Sequence, residues 1–143
     1  MAGHCFREYF MDLQAQIEAF LAGSPFAVVG ASPDRRKYGN KVLRAMIQAG
    51  RKVYPIHPTA KEVEGLPAYR SLAEVPEQLH GVSVVVPPEV TESIIDQLGE
   101  LGIQHVWMQP GAESEGSVEA GQKLGLNVIA GGPCLLVSLR YRE

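Results

Sequence analysis

Two kinds of apolar pattern alternate along the chain. Short, nearly continuous apolar runs recur at Phe26–Val29, Lys52–Ile56, Val82–Val86, His105–Met108 and Asn127–Ala130. Runs of this length, bounded by Gly and Pro and rich in β-branched residues, predict strands buried on both faces. Between them, apolar residues recur at three- and four-residue spacing over Tyr38–Ala49, Glu89–Leu101 and Ser114–Leu124, which predicts helices. The inward stripes read Val42, Leu43, Met46 and Ile47, then Val90, Ile94, Ile95, Leu98 and Leu101. A leading helix is predicted over about 6–21, with Phe6, Phe10, Leu13, Ile17, Phe20 and Leu21 on one face and Gly23-Ser24-Pro25 as its stop. The segment Pro58–Gln78 is punctuated by Gly65, Pro67 and Pro76. It predicts only a short strand near Val63 and a short helix near Ser71–Glu74, and Gly131-Gly132-Pro133 opens a tail. Strands alternating with helices predict an α/β fold, a Rossmann-like parallel sheet with helices on both faces and right-handed crossovers, in one domain spanning 1–143.

The end of the first strand carries the chemistry. Phe26-Ala27-Val28-Val29 stops at Gly30-Ala31-Ser32-Pro33, and a polar loop leads into the Tyr38 helix. A glycine there permits a tight turn and a close ligand, while the following helix start offers free N–H groups to an anion. The loop departs from the dinucleotide fingerprint: the second and third glycines of G-x-G-x-x-G are missing, and Gly39 comes late. Strand two ends Pro55-Ile56-His57-Pro58, without the acid that holds an NAD ribose. Instead Asp34-Arg35-Arg36-Lys37 brings three cations to the turn, which suits several phosphates.

Composition narrows the partners. The net charge of −3 gives no broad basic surface and argues against nucleic acid. No apolar run is long enough to span a bilayer, and Arg7, Glu8 and Asp12 interrupt the apolar N-terminal residues, unlike a signal peptide. A cytoplasmic location is expected. Two cysteines, Cys5 and Cys134, imply neither a disulfide framework nor a metal site.

In an open parallel sheet, ligands bind beyond the carboxyl ends of the strands. Four segments should converge there: the Gly30 loop, His57-Pro58 to Lys61, Val86-Pro87-Pro88, and Met108-Gln109-Pro110-Gly111. The series V-V-G-A-S-P, the delayed Gly39, V-Y-P-I-H-P, G-L-P-A-Y-R-S-L and H-V-W-M-Q-P-G resembles, in order and spacing, the small stand-alone CoA-binding domain proteins. That family is similar to the amino-terminal CoA-binding domain of the succinyl-CoA synthetase alpha subunit. The resemblance covers roughly Phe26 to Cys134. It implies CoA or an acyl-CoA as ligand, with its pyrophosphate on Gly30, Ala31, Ser32 and Pro33. Arg36 and Lys37 would reach a phosphate from the same loop. Pro58 would bound the adenine pocket, Lys61 would approach the 3′-phosphate, and Pro87, Pro88, Met108 and Gln109 would face the ligand. Two departures concern the adenine side: His57 stands where the small proteins usually have Asn, and Val86-Pro87-Pro88 looks more like the synthetase.

Competing readings of single residues are bland. Ser32 could be a helix-start cap instead of a ligand contact. His57 reads as a hydrogen-bonding loop residue, Trp107 as core, Cys134 as a small buried residue, and Glu113 and Glu115 as helix-start charges. No nucleophile and base, metal cluster or carboxylate pair stands out. His57 and Cys134 should lie on opposite sides of the first strand. Three functions fit: non-catalytic binding of CoA or an acyl-CoA as carrier or sensor, an NADP- or CoA-dependent enzyme or subunit, or a nucleotide-responsive regulatory protein with a protein partner.

Overall fold

The computed structural model describes residues 12–143. Five strands form one parallel sheet: β1 (Phe26–Val29), β2 (Val53–Ile56), β5 (Gly81–Val84), β6 (His105–Met108) and β7 (Asn127–Ile129), in the order β2-β1-β5-β6-β7. The fold is α/β and Rossmann-like. Two short strands, β3 (Glu62–Val63) and β4 (Leu66–Pro67), make a separate antiparallel hairpin after β2. Strand alternation divides the core into two layers. Ala27 and Val29 join Val82, Val84, Val106 and Met108 on one face, covered by α3 (Pro88–Leu101) and α4 (Glu115–Lys123). Phe26 and Val28 join Trp107 and Ile129 on the other. That face is covered by α1 (Leu13–Leu21), α2 (Tyr38–Gln48) and α5 (Leu135–Ser138). Trp107 is fully buried, edge-on to Phe20, and its Nε1 donates to the Pro133 carbonyl at 3.0 Å.

Phe6 and Phe10 of the leading helix lie outside the described residues. Three apolar-stripe assignments fail: Leu13 is 45% exposed, Val90 41% and Ile47 39%. In α3 the buried stripe is Thr91, Ile94, Ile95 and Leu98, one position round from Val90. Thr91 tolerates burial because its hydroxyl donates to the Pro87 carbonyl at 3.3 Å. In α2 the inward places around Val42 and Leu43 include Gly39 and Asn40, so the stripe is rotated away from Ile47. Strand β5 also ends earlier than the apolar run, leaving Val85 and Val86 to form the rim of the sheet. The tail is an ordered element. Leu135 is fully buried, and Lys41 pairs with Glu143 at 2.9 Å. A four-residue helix after Gly-Gly-Pro is too short to announce itself by periodicity.

Candidate functional site at the carboxyl end of the sheet

The sheet order reverses at β1, which has β2 on one side and β5 on the other. The crevice of such a sheet lies at this switch point, beyond the strand ends. Gly30 occupies it with φ +97°, and a Cβ there would lie 2.2 Å from the Val85 carbonyl oxygen. Only glycine fits this turn. Gly39 serves a matching purpose from the helix side. Its own Cβ would lie 2.0 Å from the Gly30 carbonyl oxygen, so the first turn of α2 is pressed directly onto the end of β1. The late glycine is therefore the close-packing glycine of this loop.

The helix start is Lys37, in extended conformation, with no side-chain hydrogen bond capping it. Ser32 is not the cap; its hydroxyl accepts the Asp34 N–H at 3.1 Å, within the loop. The first-turn amides of α2 thus face the crevice end without a side-chain acceptor, an arrangement suited to an anion. Ala31 is buried and can offer only backbone, Ser32 is half-buried, and Pro33 is exposed.

The cations beside the turn differ in their commitments. Arg36 bonds Asp34 through two nitrogens at 3.1 and 3.0 Å. These bonds, with the Arg36 amide, hold the Asp34 carboxyl down at about 2. Lys37 is exposed. Arg44 fixes the loop from behind, donating to the Arg35 carbonyl at 2.8 Å and to Asn40 Oδ1 at 2.7 Å. Asn40, fully buried, donates to the Ser32 carbonyl at 2.8 Å and to Glu64 at 3.1 Å. Arg44, Asn40 and Glu64 thus hold the loop, and none was singled out from the sequence. A polar Asn within the buried stripe of α2 was the available signal.

From the other strands, Pro58 and Lys61 are exposed in the loop after β2. His57 Nδ1 accepts the Thr59 and Ala60 amides at 3.1 and 2.9 Å, so it is a loop-ordering residue. Pro87 precedes α3 and Pro88 begins it, at the rim beside Gly30. Met108 and Gln109 are fully buried. They offer a ligand no side-chain surface, contrary to expectation, because both side chains turn into the core. Gln109 Nε2 donates to Ser83 at 3.1 Å, and its Oε1 accepts the Leu135 amide at 2.9 Å. It ties β5, β6 and α5 together. Cys134 is half-buried against the Tyr38 hydroxyl, and burial, reinforced by the thiol, raises the Tyr38 pKa well above that of a free phenol. His57 follows β2 at one edge of the sheet and Cys134 follows β7 at the other. A cleft of about 620 Å³ also opens at the α4 start, lined by Glu113, Ser114, Val118, Ala130 and Gly131, away from the Gly30 turn. Among the described residues no group of three or more His, Cys, Asp or Glu is placed to hold a metal, and no helix is long and apolar enough to cross a membrane.

Known proteins share this fold. A conserved hypothetical protein from Pyrococcus furiosus superposes with a TM-score of 0.76 at 37% identity, covering 81% of this chain and 99% of that one. An acetyl-coenzyme A synthetase from Ca. Korarchaeum cryptofilum superposes with a TM-score of 0.71 at 32% identity, over 80% of this chain and 27% of that one. In sequence, the chain is 30% identical over 124 residues to the alpha subunit of an ADP-forming acetate–CoA ligase II of Pyrococcus furiosus, covering 79% of this chain and 27% of the subunit. The chain thus spans about a quarter of the length of that curated relative. It is also 29% identical to the uncharacterized protein YneT of Bacillus subtilis, over 81% of this chain and 87% of that protein. Residues 24–140 match the family model described as CoA binding domain, the same stretch that builds the Gly30 crevice, so the chain belongs to the CoA binding domain family.

Proposed function

We propose that this chain binds CoA or an acyl-CoA without catalysing a reaction on it, as a carrier or sensor. The pyrophosphate would sit over Gly30, Ala31 and Ser32, against the uncapped start of α2. One observation carries this reading: Gly39 lets the uncapped first turn of α2 press onto the end of β1 at the switch point, where a Cβ on either glycine would strike a backbone carbonyl oxygen. Uncapped helix-start amides held beside a glycine turn suit a diphosphate. Arg36 and Lys37 flank the loop, with Arg36 exchanging Asp34 for phosphate. Pro58 bounds the adenine side and Lys61 serves the 3′-phosphate. Pro87 and Pro88 wall the crevice, while Met108 and Gln109 support its floor.

The proposal of no autonomous chemistry rests on where the candidate groups are spent. His57 Nδ1 is occupied by two backbone amides, and Cys134 contacts Tyr38 at the other edge. Any acyl transfer would then depend on a protein partner. The test is calorimetric titration with CoA, acetyl-CoA, NADPH and ATP side by side. Saturable binding of CoA or acetyl-CoA, tighter than of NADPH or ATP, is expected. Preference for NADPH would favour the alternative of an NADP-dependent enzyme or subunit, since the 2′-phosphate of NADP also needs cations. Turnover of acyl-CoA by the pure protein would remove the non-catalytic reading.

A further inference from the structure

The β3–β4 hairpin has an unusual turn. Glu64 and Gly65 stand at its tip with φ +50° and +79°, both left-handed. Two-residue turns of this kind favour Asn-Gly or Asp-Gly, and a longer side chain in the first place is disfavoured. The carboxylate of Glu64 explains why it is held there. Its Oε2 accepts from Asn40 Nδ2 at 3.1 Å and lies 3.8 Å from Arg35 Nε. Asn40 holds the Ser32 carbonyl, and Arg35 stands in the same loop. The hairpin therefore puts a negative charge beside Arg35 of the proposed phosphate loop and, through Asn40, links it to the Ser32 carbonyl.

The two contacts are unequal. Asn40 is fully buried, and its bond to Glu64 lies within hydrogen-bond distance at 3.1 Å. Arg35 is 63% exposed and only loosely engaged, the kind of surface pair that contributes little and yields easily. Its backbone is anchored by Arg44, while its guanidinium can turn. A phosphate offers Arg35 a stronger, bidentate partner than this carboxylate does.

We infer that Glu64 is an internal counter-anion of the phosphate loop, which a ligand's phosphates must displace from Arg35, so that it holds down anion affinity at the loop. This rests on the reading that the Gly30 turn is the phosphate site. Glu64 lowers the affinity of every anion there.

Glu64→Gln separates charge from scaffolding, because an amide oxygen still accepts from Asn40. Wild type, Glu64→Gln, Arg35→Ala and the Arg35→Ala/Glu64→Gln pair are titrated with CoA and with inorganic pyrophosphate at low and high salt. Glu64→Gln is expected to bind both about three- to tenfold more tightly at low salt, with the gain shrinking at high salt. The gain should also largely vanish on the Arg35→Ala background. Unchanged or weaker binding by Glu64→Gln, or an equal gain without Arg35, overturns the proposal. A gain for pyrophosphate in a protein that ignores CoA would support the counter-anion and remove CoA as the ligand. Failure of Glu64→Gln to bind either probe would overturn both.

Discussion

Gly39→Ala tests the geometry of the site through stability alone. Alanine is the better helix former, by about 1 kcal/mol, and a glycine in the first turn of a helix with room around it would be improved by the change. Here the new Cβ would stand 2.0 Å from the Gly30 carbonyl oxygen and 2.9 Å from its carbon. Both are backbone atoms of a central strand end, so neither can rotate aside. Relief requires α2 to lift off β1 by more than an ångström. Overpacking of this kind costs about 1–3 kcal/mol, and backbone against backbone belongs at the upper end. After the propensity gain, a net loss of about 1–2 kcal/mol remains, equivalent to a fall of about 3–8 °C in Tm for a domain of this size. Gly99→Ala is the control, since its Cβ would meet only the end of the exposed Leu124 side chain, at 3.1 Å. That change should be neutral or stabilising. Urea denaturation of both variants, compared with wild type by midpoint at constant slope, reads the difference. A Gly39→Ala protein as stable as wild type, or more so, would refute the close approach of α2 to the Gly30 turn.

Other expectations follow from the same structure. Removing Arg36 and Lys37 together should weaken CoA and dephospho-CoA binding at low salt and less so at high salt, as titration will read; unchanged low-salt binding would make them bystanders. Lys61→Ala should harm CoA more than dephospho-CoA, and an equal loss would deny it the 3′-phosphate. His105 packs 4.3 Å from His80, and its Nδ1 accepts from Asn127 Nδ2 at 3.0 Å. Burial, and then the charge of His80, lowers its pKa below the usual 6.5. The unfolded chain then binds the proton first, so stability is full above about pH 6.5 and falls as pH drops below it. Melting temperatures from pH 7.5 to 5.5 should decline less in His105→Gln, and parallel profiles would exclude this group. Cys134 should react with iodoacetamide at a rate that His57→Ala leaves unchanged; suppression by that variant would revive a thiol–imidazole pair.

The architecture was legible because its strands are short apolar runs and its helices are long enough to show a stripe. The Gly30 turn was equally legible, since a β-branched run ending in Gly and small residues has few other uses. What escaped the sequence is polar and long-range. Thr91 and Asn40 are polar and lie outside the apolar stripes, yet both are buried with their hydrogen bonds satisfied. Gln109 sits in a segment expected to face the ligand, but its amide is consumed by Ser83 and Leu135. Glu64 lies in a hairpin too short to stand out, and its contact with Asn40 depends on a fold that brings β3–β4 over α2. Gly39 was noticed only as displaced from a familiar spacing; its purpose became plain from the atoms a side chain would strike.

The central claim is that CoA places its phosphates on the β1–α2 turn. Backbone amide spectra of the isotopically labelled protein, recorded as CoA is added, address it residue by residue. The largest shifts should fall on Gly30 to Ser32 and on the first-turn amides of Tyr38, Gly39 and Asn40, and inorganic pyrophosphate should reproduce those of the turn. Shifts confined to Glu113, Ser114, Val118 and Gly131, with the Gly30 turn unmoved, would place the ligand in the other cleft and contradict the account.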